Sequence, residues 1–213
     1  MSRIQATVSG IATGVILAAL LSSGPAADAQ KSGAIRYYPL HKGNSWTYSC
    51  TANGRTFTEV ATVTQASSSQ AQIDWKVNGQ TLQMETYLIR PDALLRAKSG
   101  PNGGGQVTPP FPQIRTPLKA GQQWTWKGSV SIMSHVLAGS ATIRVSGPES
   151  IKTPAGTFRC MHIHSDLTLN PPGQPSLSLL NDYWFAAGVG LVAQQLSTGS
   201  LTINGKLSRY QIK

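Results

Sequence analysis

Apolar and polar residues alternate with a period of two along almost all of the chain after residue 35. This alternation is typical of strands that have one face on a core and the other in solvent. Thr, Val, Ile and aromatic residues fill the runs, and no long segment shows the 3.6-residue period of a helix. The alternating runs are residues 46–50, 58–65, 71–77, 81–89, 124–126, 140–145 and 201–210.

Turn-forming pairs separate these runs. Asn-Gly between alternating segments is a strong hairpin signal, because both residues tolerate a positive φ. It occurs at residues 53–54, 78–79 and 204–205. Gly147-Pro148 and Ala155-Gly156 are further turn candidates. The pattern therefore predicts an all-β, antiparallel fold that is built from many hairpins.

Two stretches rich in Gly and Pro interrupt the alternation. Residues 99–117 contain three consecutive glycines and the segment Pro109-Pro110-Phe111-Pro112, and residues 170–175 contain Pro171-Pro172-Gly173. Both stretches are predicted to be loops. The length of the first leaves three roles open: a lid, a partner site or a linker.

A repeat divides the chain into two parts. Residues 39–48 and 117–126 share the pattern P-L-x-x-G-x-x-W-T-aromatic, 78 residues apart, and a weaker match sets residues 87–95 beside residues 183–191. We interpret them as two related β-units, about residues 35–98 and 114–213, joined by a linker at residues 99–113. One unit alone would leave a sheet face uncovered, whereas two units can close over one core as a curved half-barrel or a β-sandwich.

The repeated pattern has a structural interpretation. Pro-Leu enters a turn, Gly supplies a positive φ, and the strand then begins with a Trp that is expected in the core. The alternative is a ligand-binding surface on which Trp46, Tyr48, Trp124 and Trp126 stack against a bound molecule.

The first 29 residues have the pattern of a secretory signal peptide. Arg3 precedes an apolar run at residues 11–21, and Ala27-Asp28-Ala29 is typical of a cleavage site. The run is short for a membrane span, so an uncleaved anchor is the less favoured alternative. We predict a mature chain that starts at Gln30, forms a single all-β domain over residues 30–213, and works in the periplasm or outside the cell.

Charge narrows the range of partners. Only 12% of the residues are charged, against about 25% in an average globular protein, and the formal net charge is +10. Cleavage after residue 29 removes one basic and one acidic residue, so this charge is kept. The basic residues are scattered, which argues against nucleic acid. A hydrophobic or anionic ligand, an envelope protein partner and peripheral contact with a membrane surface stay open.

The two cysteines of the chain suggest a disulfide. An exported protein lives in an oxidising compartment, so Cys50 and Cys160 are candidates for a bridge that joins the two β-units. Two buried thiols are the alternative.

One segment carries candidate metal ligands. On a strand, Cys160, His162, His164 and Asp166 share a face, and same-face neighbours lie about 7 Å apart. His162 and His164 can therefore hold a Zn²⁺ or Cu²⁺ ion between them, with a third ligand from elsewhere, such as His41 or His135. A plain polar stripe on the outside of the sheet is the alternative.

Motifs of catalysis and of cofactor binding are missing from the sequence. It has no nucleophile elbow, no H-E-x-x-H, no phosphate-binding loop and no recognisable carboxylate pair. We therefore assign no catalytic residue and expect no cofactor. Chemistry assembled from distant residues stays open.

Three motifs carry a resemblance to a known family. They are residues 37–48, with Tyr37-Tyr38-Pro39-Leu40, residues 153–160, with Thr153-Pro154-Ala155-Gly156, and residues 183–192, with Tyr183-Trp184-Phe185-Ala186. Together they resemble a family of exported bacterial β-proteins of unknown function. The resemblance implies a curved antiparallel sheet similar to the half-barrels of periplasmic lipoprotein carriers, and it transfers no catalytic residue.

These observations favour an exported, non-catalytic envelope protein that binds a lipid or another hydrophobic ligand on a concave sheet face. A structural or protein-interaction module of the envelope is the first alternative. An exported hydrolase or metal-binding protein is the second.

Overall fold

The structure is a computed structural model that describes residues 33–132 and 135–213. The predicted signal peptide, residues 1–29, lies outside the described residues. Across the described ranges the chain forms twelve antiparallel strands and one short 3₁₀ turn at Pro101–Gly103. The strands are β1 (Ser45–Ala52), β2 (Arg55–Ala66), β3 (Gln70–Val77), β4 (Gln80–Arg90), β5 (Ala93–Gly100), β6 (Gln106–Arg115), β7 (Gln123–Ile132), β8 (His135–Thr153), β9 (Gly156–Asn170), β10 (Leu177–Ala186), β11 (Gly190–Thr198) and β12 (Leu201–Gln211).

The all-β, antiparallel prediction is confirmed, but the half-barrel and sandwich alternatives are wrong. Each strand pairs with its neighbours in the chain, and β1 also pairs with β12 from Ser45–Gln211 to Ala52–Ile203. The sheet is therefore a closed barrel. Closure removes the two free sheet edges that a half-barrel would expose to other chains.

Some predicted loops are strands. Residues 106–115 of the Gly/Pro-rich stretch form β6, so the predicted loop at 99–117 and linker at 99–113 are wrong there. Asn204-Gly205 lies inside β12, and Gly147-Pro148 lies at a register shift inside β8. Proline is tolerated in β6 because that strand pairs weakly on one side. Its pairing with β7 is confined to Val107–Val130 and Thr108–Ser129.

The two repeated turns have the same geometry. Gly43 and Gly121 have φ values of 88° and 83°. Their backbone N–H groups donate to Val63 and Val145, both at 2.9 Å. Each turn is followed by a strand whose second residue is the repeated Trp, so β1–β6 and β7–β12 are two successive sets of six strands that begin alike.

An aromatic plug fills one end of the barrel. Tyr38, from the segment before β1, is 2% exposed. Its ring centroid lies 5.2 Å from Trp46, 5.5 Å from Phe185 and 6.0 Å from Tyr87. Aromatic pairs at these separations stabilise a core beyond the area that they bury. The plug closes the end at which β1 begins and leaves space toward the other end.

In the described part of the chain, no helix is long and apolar enough to cross a membrane.

Candidate ligand cavity and candidate metal centre

A cavity of about 260 Å³ lies inside the barrel beyond the aromatic plug. Leucines of β9, β10 and β11 form an apolar wall, and polar residues of β4, β5 and β6 form much of the opposite wall. Side chains that line the cavity, such as Gln83, Ser99 and Leu167, are only half-buried. Because they point into the barrel, the solvent that reaches them enters through the cavity, which is therefore open. The apolar wall consists of Leu167, Leu169, Leu179, Leu191 and Leu196, and the polar wall includes Gln83, Glu85, Arg96, Ser99 and Gln113.

Glu85 is the centre of the polar wall. Its carboxylate accepts hydrogen bonds from Trp75 Nε1, Tyr87 Oη and Arg96 Nη1, each at 3.0 Å, and one from Gln83 Nε2 at 3.1 Å. Burial lowers the pKa of Arg96, but Glu85, Tyr87 and Tyr183 together outweigh that effect and raise the pKa overall, so the guanidinium stays charged. The pair is charge-balanced, and four donors saturate the carboxylate.

Two polar atoms of this wall have no partner among the described residues. They are Gln113 Oε1, on a residue that is only 3% exposed, and Arg96 Nε. A buried polar atom without a hydrogen bond costs about 1–3 kcal/mol. Both residues line the cavity, and their two unpaired atoms, one acceptor and one donor, are almost fully enclosed.

A second carboxyl group lies near the first. Glu59 Oε2 accepts from Gln194 Nε2 at 3.1 Å, and Cys50 Sγ lies 3.8 Å from it. Burial raises the pKa of Glu59, and the nearby Glu85 raises it further. Burial together with Glu59 raises the pKa of the Cys50 thiol to about 12, so this sulfur is unreactive at neutral pH.

The predicted disulfide is not present, because both cysteines are free and buried. Cys50 is on β1 and has the parity of the inward Trp46 and Tyr48, whereas Cys160 is on β9 and has the parity of His162 and His164. Three strands, β10, β11 and β12, separate β9 from β1 around the barrel. The prediction of a bridge that joins the two β-units through Cys50 and Cys160 is therefore wrong.

The four candidate stacking residues lie in the core and do not line the cavity. Trp46 and Tyr48 are fully buried and donate to the carbonyls of Val189 and Leu191, at 2.6 and 3.0 Å. Trp124 and Trp126 donate to the carbonyls of Pro112 and Pro109, at 2.9 and 2.8 Å. The latter two bonds replace ladder hydrogen bonds that are missing between β6 and β7.

A polar cluster occupies the outer face of β8, β9 and β10. Asp182 Oδ1 lies 2.6 Å from His162 Nε2 and 2.7 Å from His164 Nδ1, and since a carboxylate only accepts, both ring nitrogens donate. His164 Nε2 also donates to Asp166 Oδ1 at 3.0 Å. Burial lowers the pKa of His164, but its bonds to Asp182 and Asp166 outweigh burial and raise it overall.

His162 and His164 are therefore brought together, as the sequence predicts, and their neighbour is Asp182. One ligand atom from each of these three residues lies within 4.8 Å of the others. His41, in the turn before β1, and His135, at the start of β8, are exposed and are not in this group. The signal for Asp182 is the hairpin at residues 171–176, which sets β10 beside β9 and pairs Asp182 with His164.

Comparison with known proteins supports the fold. Residues 116–207, from the turn before β7 into β12, match the DUF3108-like family model. A predicted lipoprotein of Parabacteroides distasonis is 14% identical, with a TM-score of 0.56 over 81% of this chain and 96% of that one. A predicted exported protein with a YmcC-like fold from Bacteroides fragilis is 15% identical, with a TM-score of 0.52 over 81% and 97%.

The hypothetical lipoprotein YmcC of Escherichia coli is 14% identical, with a TM-score of 0.41 over 86% of this chain and 91% of that one. The comparison with curated protein sequences found no match. At these identities the two likenesses with TM-scores above 0.5 establish a shared fold.

Proposed function

We propose that this protein is an exported cell-envelope protein that binds a small amphipathic molecule inside its barrel. The observation that carries the proposal is the cavity of about 260 Å³, with a leucine wall on one side and two buried, unpartnered polar atoms on the other. The signal-peptide pattern and the fold shared with proteins described as exported or as lipoproteins support the envelope location.

The size of the cavity favours one short chain over a two-chain lipid. Small-molecule pockets usually measure about 300–1,000 Å³, so this cavity lies just below that range. An alkyl chain fits the wall formed by Leu167, Leu169 and Leu179. Burial of each methylene group there contributes about 0.8 kcal/mol to binding.

The polar wall favours an uncharged head group. Glu85 and Arg96 already neutralise each other at 3.0 Å, so a charged head group would add an unpaired buried charge. A hydroxyl or carboxamide head can accept from Arg96 Nε and donate to Gln113 Oε1. A neutral alkyl alcohol or amide is therefore the favoured ligand class.

Isothermal titration with 1-octanol, octanoate and octylammonium tests this function. We expect octanol to bind best, and Gln113→Leu to weaken octanol binding by about 2- to 10-fold through one lost hydrogen bond. Leu179→Trp, which fills the cavity, should abolish binding, whereas Ser178→Trp, on the next residue and the opposite face of β10, should not.

Circular dichroism and urea unfolding establish that both Trp variants fold. The proposal is wrong if none of the three probes binds, or if a folded Leu179→Trp protein binds octanol as tightly as the wild type.

A further inference from the structure

We propose that His162, His164 and Asp182 bind a divalent cation of the zinc type on the outer face of the barrel, away from the cavity. One ligand atom of each residue lies within 4.8 Å of the other two. Zn²⁺ takes imidazole nitrogen and carboxylate oxygen at about 2.0–2.2 Å. Atoms this close need only small side-chain rotations to converge on one ion.

The remaining nitrogens of the two histidines are supported by oxygen atoms. His162 Nδ1 lies 3.0 Å from Ser146 Oγ and 3.6 Å from Glu149 Oε1, while His164 Nε2 lies 3.0 Å from Asp166 Oδ1. Metal-binding histidines almost always use their second nitrogen in this way, since the bond fixes the ring and its tautomer. This supporting layer is independent of the three ligands and points to the same function.

The sheet holds the cluster in place. His164 and Asp182 are directly paired on β9 and β10, and His162 is paired with Trp184. The Trp184 ring stacks on His162 with centroids 4.6 Å apart and planes 9° apart, and its Nε1 donates to Glu149 Oε1 at 2.7 Å. Regular strands position ligands more rigidly than loops do.

Charge at the cluster favours a cation although the chain as a whole is basic. Three of the eight acidic residues, Glu149, Asp166 and Asp182, surround the two imidazoles. Arg144 forms an ion pair with one of these three carboxylates, Asp166, at 2.5 Å. Three carboxylates outnumber the Arg144 guanidinium and one protonated imidazole, so the local charge is negative, whereas the formal charge of the whole chain is +10.

The ligand types select the kind of metal. Two imidazoles with one carboxylate suit Zn²⁺, Cu²⁺ and related ions, whereas Mg²⁺ and Ca²⁺ prefer oxygen ligands only. Three protein ligands leave one position of a tetrahedral zinc ion for a water molecule.

Isothermal titration of EDTA-treated protein with ZnCl₂, and separately with MgCl₂, tests the site. We expect one Zn²⁺ per chain and no Mg²⁺ binding. His162→Ala, His164→Ala and Asp182→Asn should each weaken Zn²⁺ binding by at least about 100-fold, and Asp166→Asn by about 10- to 100-fold as a supporting residue. His41→Ala and His135→Ala are the matched controls and should bind Zn²⁺ like the wild type.

Cobalt substitution adds a spectroscopic measurement. Co²⁺ at this site should give visible absorption bands that disappear in His164→Ala. Absence of Zn²⁺ uptake overturns the proposal, and so does unchanged affinity in the folded His162→Ala and His164→Ala variants. Leu179→Trp should keep Zn²⁺ binding, so failure of the cavity proposal is distinguishable from failure of this one.

Discussion

The two halves of the barrel begin with the same turn but place their polar clusters on opposite faces. In β4 and β5 of the first half, Glu85 and Arg96 point inward and are largely buried. In β9 and β10 of the second half, His162, His164 and Asp182 point outward and are partly exposed. A change of one residue in position moves a side chain across the sheet, so closely similar strands can carry either arrangement.

The two clusters differ in how completely their polar atoms must form hydrogen bonds within the protein. Inside, burial forces almost every polar atom of the Glu85 network to pair within the protein. Among the described residues, Arg96 Nε is the atom of this network without a partner, and Arg96 lines the cavity. Outside, solvent relieves this requirement, and side chains keep the freedom to exchange hydrogen bonds for a metal ion. We therefore expect the inner cluster to contribute more to the free energy of unfolding than the outer cluster does.

The largest expected difference in the free energy of unfolding is between two variants that each remove one acidic residue, one from the inner cluster and one from the outer cluster. Glu85→Ala leaves the Arg96 charge without its carboxylate partner inside the barrel and should lower the free energy of unfolding by about 3–5 kcal/mol. Asp166→Ala breaks an exposed pair with Arg144 and should cost less than about 1 kcal/mol. Urea unfolding with an unchanged m-value measures both.

Equal losses for the two variants would contradict this comparison. Equal losses would mean that water in the cavity solvates the unpaired Arg96 as effectively as bulk solvent solvates the unpaired Arg144.

The sequence predicts most of the strands and the proximity of His162 and His164, and the features that it does not predict have physical reasons. Alternation and Asn-Gly pairs predict hairpins at residues 53–54 and 78–79 because these signals are local. Barrel closure depends on the pairing of β1 with β12, which are distant in the chain. The residues around β6 have the composition of a loop, and they form a strand because they pair with β5 on one side and accept hydrogen bonds from Trp124 and Trp126 on the other.

In the candidate sites, too, the sequence predicts what depends on local spacing and does not predict what depends on strand pairing. His162 and His164 are two residues apart, so alternation alone places them together. Asp182 requires the register of the β9–β10 hairpin, which a turn of several residues leaves uncertain by one position. Glu85 reads as an ordinary polar position of a strand, and its role depends on Trp75 and Arg96 from adjacent strands.

Alanine substitutions at Gly43 and Gly121 test whether the repeated turn makes the same contribution to stability in both halves of the barrel. Gly43 and Gly121 have φ values of 88° and 83°, which an L-residue adopts at a cost of about 1–2 kcal/mol. A Cβ at Gly121 meets nothing within 4 Å, and at Gly43 it meets only the end of the Lys213 side chain. Both variants should therefore lose a similar 1–2 kcal/mol of unfolding free energy.

Gly104→Ala is the matched control, because Gly104 has an ordinary φ of −76°. Its free energy of unfolding should change by less than that of either turn variant. A large difference between Gly43→Ala and Gly121→Ala would mean that the two turns are not equivalent.

The smallest effect is a pH dependence that belongs to the inner face. Burial raises the pKa of Glu59, so the folded protein holds a proton there that the unfolded chain releases. The contribution of Glu59 to the stability of the wild type should therefore fall as the pH rises from the ordinary carboxyl pKa through the raised pKa of the folded state, and then level off. Glu59→Gln removes the titration, so the stability of wild type minus that of the variant should decline across this window.

Gln194→Met removes a hydrogen bond that lowers the pKa of Glu59, and the decline should then extend to higher pH. Urea unfolding of the three proteins across the acidic to neutral range measures these shifts, and a difference between wild type and Glu59→Gln that does not change with pH would place Glu59 in a solvated rather than a buried setting.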